Sequence, residues 1–255
     1  MGFLHNGHLS LVNASQKKSD YTIVSIFINP TQFAEGEDLE KYPRDLDRDK
    51  DLLEKANTDL LFYPDKNEIY GFDFQTYVSV EKITTVLEGK FRPTHFKGVT
   101  TVVNILFNCV QPDFAFFGQK DAQQVEVIKQ MVSDLKMGIE IVVCPIVREE
   151  NGLAMSSRNV YLSSEEKEKA LAIHNALLYG RKFIEEDKEI NPRIVIDNMK
   201  SVLCQEKLIK LDYIEIRNVY GFREVELIDE GNEYYILVAA RVGKTRLIDN
   251  ELVRI

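Results

Sequence analysis

The sequence predicts an α/β protein, with a parallel-sheet domain over residues 1–158 and a smaller α+β domain with antiparallel strands over residues 159–255. Three observations carry that expectation. Short apolar runs alternate with helical stretches up to about residue 150, which is the pattern of successive β–α units with helices on both faces of a sheet. The run Tyr21 to Ile28 is β-branched and apolar on both faces, as a buried parallel strand must be. Beyond Asn159 the alternation stops, and two helical stretches precede three strand-like runs.

The elements follow in order. Asn6 to Lys18 reads as a helix, with Leu9, Leu11, Val12 and Ala14 supplying apolar surface. Asp45 to Ala56 is a charged amphipathic helix, and Leu60 to Tyr63 a short strand ended by Pro64. Val99 to Val110 is a nearly all-apolar helix, preceded by a loop carrying Arg92, His95 and Lys97. Phe114 to Phe117 is a strand, Ala122 to Met137 a helix, and Glu140 to Cys144 a strand ended by Pro145. In the second domain Ser163-Ser164-Glu165-Glu166 opens a helix to about Glu185 with a capping-box pattern. Asn191-Pro192 supplies the N-cap and first position of another helix. Leu211 to Arg217, Glu233 to Arg241 and Thr245 to Ile255 read as antiparallel strands, the last two joined through Val242-Gly243-Lys244. Gly152 to Arg158 is a short linker.

Composition excludes several classes. The 255 residues are 44% hydrophobic and 29% charged, which is ordinary for a globular protein. The sequence has no run of 18 apolar residues and no basic start typical of a signal peptide. A net charge of −9 argues against nucleic acid as a partner. Cys109, Cys144 and Cys204 form no C-x-x-C pair, so they read as buried structural thiols of a cytoplasmic protein.

Four segments hold residues suited to chemistry. His5 and His8 stand three apart at a helix start, where backbone N–H groups and the helix dipole favour phosphate. Taken alone, two surface histidines explain H-x-G-H equally well. Asn29-Pro30-Thr31-Gln32-Phe33 follows the first strand, where open α/β sheets bind ligands. Asn29 and Gln32 are neutral groups able to read hydroxyls or a carboxylate, and a plain proline turn is the alternative. Gly118-Gln119-Lys120-Asp121 lies at the same end of a later strand, with Lys120 suited to phosphate charge and Asp121 to a ribose or a helix cap. Met155-Ser156-Ser157-Arg158 offers two hydroxyls and a guanidinium fork, or simply a polar linker.

The conjunction is more specific than any part. Met1-Gly2-Phe3-Leu4-His5-Asn6-Gly7-His8, Phe27 to Phe33, Tyr42-Pro43-Arg44, Leu87-Glu88-Gly89, Arg92 to Val99, Phe117 to Gln124, Gly152 to Asn159 and Arg246-Leu247-Ile248-Asp249-Asn250 occur in one order along the whole chain. Together they resemble the pantothenate synthetase (pantoate–β-alanine ligase) family of the nucleotidyltransferase superfamily. The resemblance implies a Rossmann-like first domain, a second domain acting as a lid, and a homodimer built through the first. It implies condensation of pantoate with β-alanine through pantoyl adenylate, with release of AMP and pyrophosphate. ATP would be bound by Met1, Gly2, Phe3, Leu4, His5, Asn6, Gly7 and His8, by Gly118, Gln119, Lys120 and Asp121, and by Val147, Met155, Ser156, Ser157 and Arg158. His8 would be the proton donor, with His5, Lys120 and Arg158 sharing the catalytic work. Gln32 and Gln124 would hold pantoate, and Gln32 also β-alanine. Mg²⁺ would fall to Asp47 or Asp49 in Asp45-Leu46-Asp47-Arg48-Asp49. Family members carry a strand ending in Pro-Thr before the residue that is Met1 here, so the native product is expected to begin upstream. The rival readings are another H-x-G-H adenylyltransferase, a tRNA synthetase, which would need an anticodon-binding module, and a non-catalytic binding protein.

Overall fold

The computed structural model describes residues 2–34 and 36–255. These form two compact units. One runs to Gly118 and includes Gln123–Pro145, and the other joins Gln119–Ala122 to Ile146–Ile255.

The first unit contains, in order, α1 (Asn6–Lys18), β1 (Ile23–Ser25), α2 (Leu46–Lys55), β2 (Leu60–Phe62), α3 (Lys66–Ile69), α4 (Glu88–Phe91), α5 (His95–Val110), β3 (Phe114–Gly118), α6 (Ala122–Asp134) and β4 (Glu140–Cys144). The strands pair in parallel, β1 with β2 and β3 with β4, as two two-stranded sheets. The expected β–α alternation is present. The run Tyr21 to Ile28 is ladder-paired only over Ile23–Ser25, because its partner β2 is itself three residues long. Helix α5 begins at His95, four positions earlier than apolar periodicity indicated. His95 and Lys97 therefore lie in the first helical turn and not in a loop, a correction with a simple cause: polar residues in a first turn add nothing to an apolar stripe. Val99, Val102, Val103 and Phe107 of α5 pack with Val127, Ile128 and Met131 of α6 and with Ala115 of β3. A smaller cluster joins Leu4, Val12, Ile26 and Leu53. Burying each large side chain contributes about 1.5–3 kcal/mol.

The second unit contains α7 (Ser164–Glu185), α8 (Pro192–Leu203), β5 (Ile209–Asn218), β6 (Glu233–Val242) and β7 (Thr245–Arg254). The strands form one antiparallel sheet in the order β5-β6-β7. Ile173, Leu177 and Ile184 of α7 and Val195, Met199 and Leu203 of α8 pack on Ile214, Ile216, Ile236 and Val238. Ser163 and Glu166 close the capping box of α7, and Asn191 caps α8 with Pro192 in its first turn. The β6–β7 turn sets Val242 opposite Thr245, with Gly243 at φ 57°, a conformation that favours glycine.

One compositional expectation fails. All three cysteines are unpaired, but only Cys144 is buried, while Cys109 and Cys204 are exposed near helix ends. Among the described residues no helix is long and apolar enough to cross a membrane.

Candidate active site

The start of α1 is built by its two histidines. His5 is the N-cap, and its Nδ1 accepts from the Gly7 N–H at 3.1 Å. The His5 N–H in turn donates to His8 Nδ1 at 3.2 Å. This is a capping box made with imidazoles, and the two rings lie 3.9 Å apart. A ring nitrogen that accepts carries no proton, so each neutral ring keeps its proton on Nε2. The sequence placed both histidines on one face. It did not show that capping would fix their tautomers.

The approach to His5 is held from α2. Both Asp49 oxygens accept backbone bonds, from Phe3 N–H and Leu4 N–H, each at 2.7 Å. Charge-assisted bonds of this kind are roughly twice as strong as neutral ones. Gly2 sits at φ 124°, and an added Cβ would come within 3.3 Å of the Ile26 side chain. Asp49 is 1% exposed and acts as a backbone anchor. Asp47, in the first turn of α2, is exposed. Among the described residues no group of three or more His, Cys, Asp or Glu side chains is placed to hold a metal. Met1, assigned to ATP by resemblance, lies outside the described residues.

Asn29 and Gln32 are held differently. Asn29 is fully buried: its Nδ2 donates to the Gly98 carbonyl at 3.0 Å, and its Oδ1 accepts from Thr31 and from the Tyr70 hydroxyl. Burial pushes the Tyr70 phenol pKa up, and its bonds to Thr31 and Asn29 oppose that shift only in part. Asn29 thus shapes the Pro30–Gln32 turn, the second of the two roles the sequence left open. The Gln32 carbonyl accepts from His95 Nδ1 at 2.9 Å and from Arg92 Nη2 at 3.2 Å. Arg92 is itself gripped by Glu37 at 2.7 and 2.8 Å. Burial pushes the Glu37 carboxyl up, but the Arg92 hydrogen bonds and charge outweigh it and hold the pKa low.

Of the two glutamines opening α6, Gln123 is buried scaffold. It donates to the Ile83 and Val86 carbonyls at 2.8 and 2.9 Å and accepts from Glu88 N–H at 3.0 Å. Gln124 is half-buried.

In the second unit, Gln119–Asp121 forms a 3₁₀ turn in which Lys120 is half-buried and Asp121 exposed. Asn250 of β7 bonds this turn through its side chain. Val147 accepts from Met155 N–H at 3.0 Å, and Arg148 bridges Ala154, closing a small hairpin. Ser156 caps the turn Ser157–Tyr161 by accepting from Arg158 N–H at 3.3 Å. Ser157 is buried and Arg158 half-buried. Asp249-Asn250 falls within a motif of the sequence, yet neither residue had a role legible there, because a long-range polar partner leaves no local pattern. A cavity of about 740 Å³ lined by Tyr220, Arg223, Glu224 and Leu227 contains none of the candidate residues.

Comparison with known proteins shows the family and the fold. Residues 1–252 match the family described as Pantoate-beta-alanine ligase. A pantothenate synthetase from Caldicellulosiruptor saccharolyticus is 52% identical over 255 residues, covering 100% of this chain and 90% of the relative. One from Thermotoga petrophila is 48% identical, covering 99% of this chain and 89% of its own length. The crystal structure of pantothenate synthetase from Thermus thermophilus superposes with a TM-score of 0.95 at 42% identity, over 100% of this chain and 91% of that one. The Francisella tularensis ligase, solved with a β,γ-ATP ligand and β-alanine, gives 0.79 at 36% identity over 99% and 87%.

Proposed function

The chain belongs to the pantoate–β-alanine ligase family and joins pantoate to β-alanine at the expense of ATP, and we propose that it does so through pantoyl adenylate, releasing pyrophosphate and then AMP. A carboxylate is a poor electrophile until one of its oxygens becomes part of a good leaving group. Its attack on the α-phosphorus forms the C–O–P link and breaks the bond to pyrophosphate. That step brings two anions together, so donors must be fixed in advance where charge develops.

The observation that carries the reading is the imidazole capping box of α1. With both Nδ1 atoms engaged by backbone, His5 and His8 keep Nε2–H as the proton each ring can donate toward phosphate, at a helix N-terminus already suited to anions. In this reading His8 stabilises the charge that develops on phosphate by hydrogen bonding through its Nε2–H. Gly2 to Gly7, Gly118 to Asp121, Val147 and Met155 to Ser157 bind the nucleotide, with Lys120 and Arg158 supplying positive charge. Gln32, its backbone clamped by His95 and Arg92, and Gln124 hold pantoate. Neutral amides bond hydroxyls and carboxylate without burying a countercharge. Gln32 also meets β-alanine, whose amine attacks the acyl carbon. The C–N bond forms, the bond to AMP breaks, and the amine proton leaves.

Mg²⁺ fits as an ion that arrives with ATP, since it keeps several waters and takes one or two carboxylates plus phosphates. Asp47 is the carboxylate we assign to it, as Asp49 is committed to backbone. Bound there, Mg²⁺ would neutralise phosphate charge. We also place the protein in the cytoplasm, where its unpaired cysteines suit a reducing compartment.

His8→Ala tests the assignment. Pantoate-dependent exchange of pyrophosphate into ATP, measured without β-alanine, is expected to fall about 10²–10⁴-fold while thermal stability changes little. Undiminished exchange removes His8 from the chemistry.

A further inference from the structure

We propose that Asp249 and Asn250, adjacent on β7, are positioning residues for adenylate formation. Asn250 would fix the backbone of the turn carrying Lys120, and Asp249, through Arg148, the hairpin leading into Met155 to Arg158. The proposal rests on the reading above, in which Lys120 and Arg158 meet phosphate.

Asn250 is 1% exposed. Its Nδ2 donates to two consecutive carbonyls, Gln119 at 2.9 Å and Lys120 at 3.0 Å, while its Oδ1 accepts from Gln119 Nε2 at 3.1 Å. Two donors on one nitrogen beside an acceptor are the attributes of a primary amide alone. A carboxylate would set negative charge against two carbonyl oxygens, and glutamine is one methylene too long. Asp249, 5% exposed, takes Arg148 through both oxygens, at 2.6 and 3.1 Å. Arg148 also donates to the Gly152 carbonyl at 3.3 Å and the Asn250 carbonyl at 3.5 Å. It bridges Ala154, while Met155 N–H closes on Val147. The pair is itself tied, Asn250 N–H donating to Asp249 Oδ1 at 2.8 Å.

The Gln119–Asp121 turn contributes no residue to the unit's apolar core, whereas the hairpin does so through Leu153. Lys120 and Arg158 are half-buried and Asp121 exposed. In the Gln119–Asp121 turn, polar bonds from β7 therefore supply the precision that apolar packing supplies elsewhere, and in the hairpin the Asp249–Arg148 pair adds to that packing. Gripping a reacting phosphate demands that precision, because a displacement near 1 Å costs about 10²-fold in rate.

The test compares Asn250→Leu, Lys120→Ala and their double variant in pantoate-dependent pyrophosphate–ATP exchange, with folding checked by circular dichroism. Asn250→Leu is expected to lower kcat for exchange about 10–100-fold, with the ATP KM little changed. The double variant is expected to match Lys120→Ala, since a residue acting through Lys120 has nothing left to position. Asn250→Leu at the wild-type rate, or a defect that multiplies fully with that of Lys120→Ala, overturns the proposal and leaves the ligase reading standing. Lys120→Ala at the wild-type rate instead sinks the reading beneath it. Should Asn250→Leu fail to fold, Asn250→Ser, which keeps one shorter donor, takes its place in the same comparison, and the same outcomes support or overturn the proposal.

Discussion

His174 on α7 gives the second unit a pH-dependent contribution to stability. Its Nδ1 is buried and has no hydrogen-bond partner among the described residues. Burial, then the nearby Arg148 charge, hold its pKa below the ordinary imidazole value, and Asp249 and Glu251 pull the other way without prevailing. A folded pKa below the unfolded one means that neutral His174 contributes stability above about pH 6.5, and that this is lost as pH falls through the folded value. Glu37, also lowered, adds a loss of the same sign further into acid, as pH falls through its own folded pKa. His174→Leu is therefore expected to flatten the decline of Tm between about pH 7 and about pH 5. Equal declines in both proteins, followed by calorimetry, would remove His174 as the cause.

At the scale of elements, α5 packs closely on the Pro30–Gln32 turn, which carries the glutamine proposed to hold pantoate. A Cβ at Gly98 would lie 2.5 Å from the Thr31 carbonyl oxygen, and that turn presents Gln32. Gly98→Ala is expected to cost about 1–3 kcal/mol through overpacking and to raise the pantoate KM more than the ATP KM. Urea unfolding with steady-state kinetics checks both, and an unchanged pantoate KM would separate the turn from pantoate binding. Gly98 was legible only as one residue of the Arg92 to Val99 motif, since sequence does not reveal what faces a missing side chain. Other features were plain from local chemistry. Asn191-Pro192 did start α8, and Val242-Gly243-Lys244 did turn β6 into β7. Helices α3 and α4 escaped notice because each is four residues long, too short to show periodicity. The scaffold roles of Gln123 and Asn29 depend on partners dozens of residues away, and nothing local separates them from their neighbours Gln124 and Gln32.

At the scale of the whole molecule, a homodimer formed through the first unit remains the proposed assembly. Leu60 in β2, and Tyr21 and Tyr63 beside β1 and β2, are 41, 57 and 55% exposed, the kind of apolar surface that pairing covers. Light scattering at micromolar concentration is expected to give twice the chain mass, and a monomer mass would refute the assembly. The chemistry is tested most directly by following one atom. In the adenylate route a pantoate carboxylate oxygen becomes the bridge to AMP and leaves with it. Pantoate labelled with heavy oxygen in its carboxylate, incubated with β-alanine, ATP and this protein, should yield AMP carrying one labelled oxygen and unlabelled pyrophosphate, read by mass spectrometry. Label appearing in inorganic phosphate, with ADP as the nucleotide product, would contradict the adenylate route.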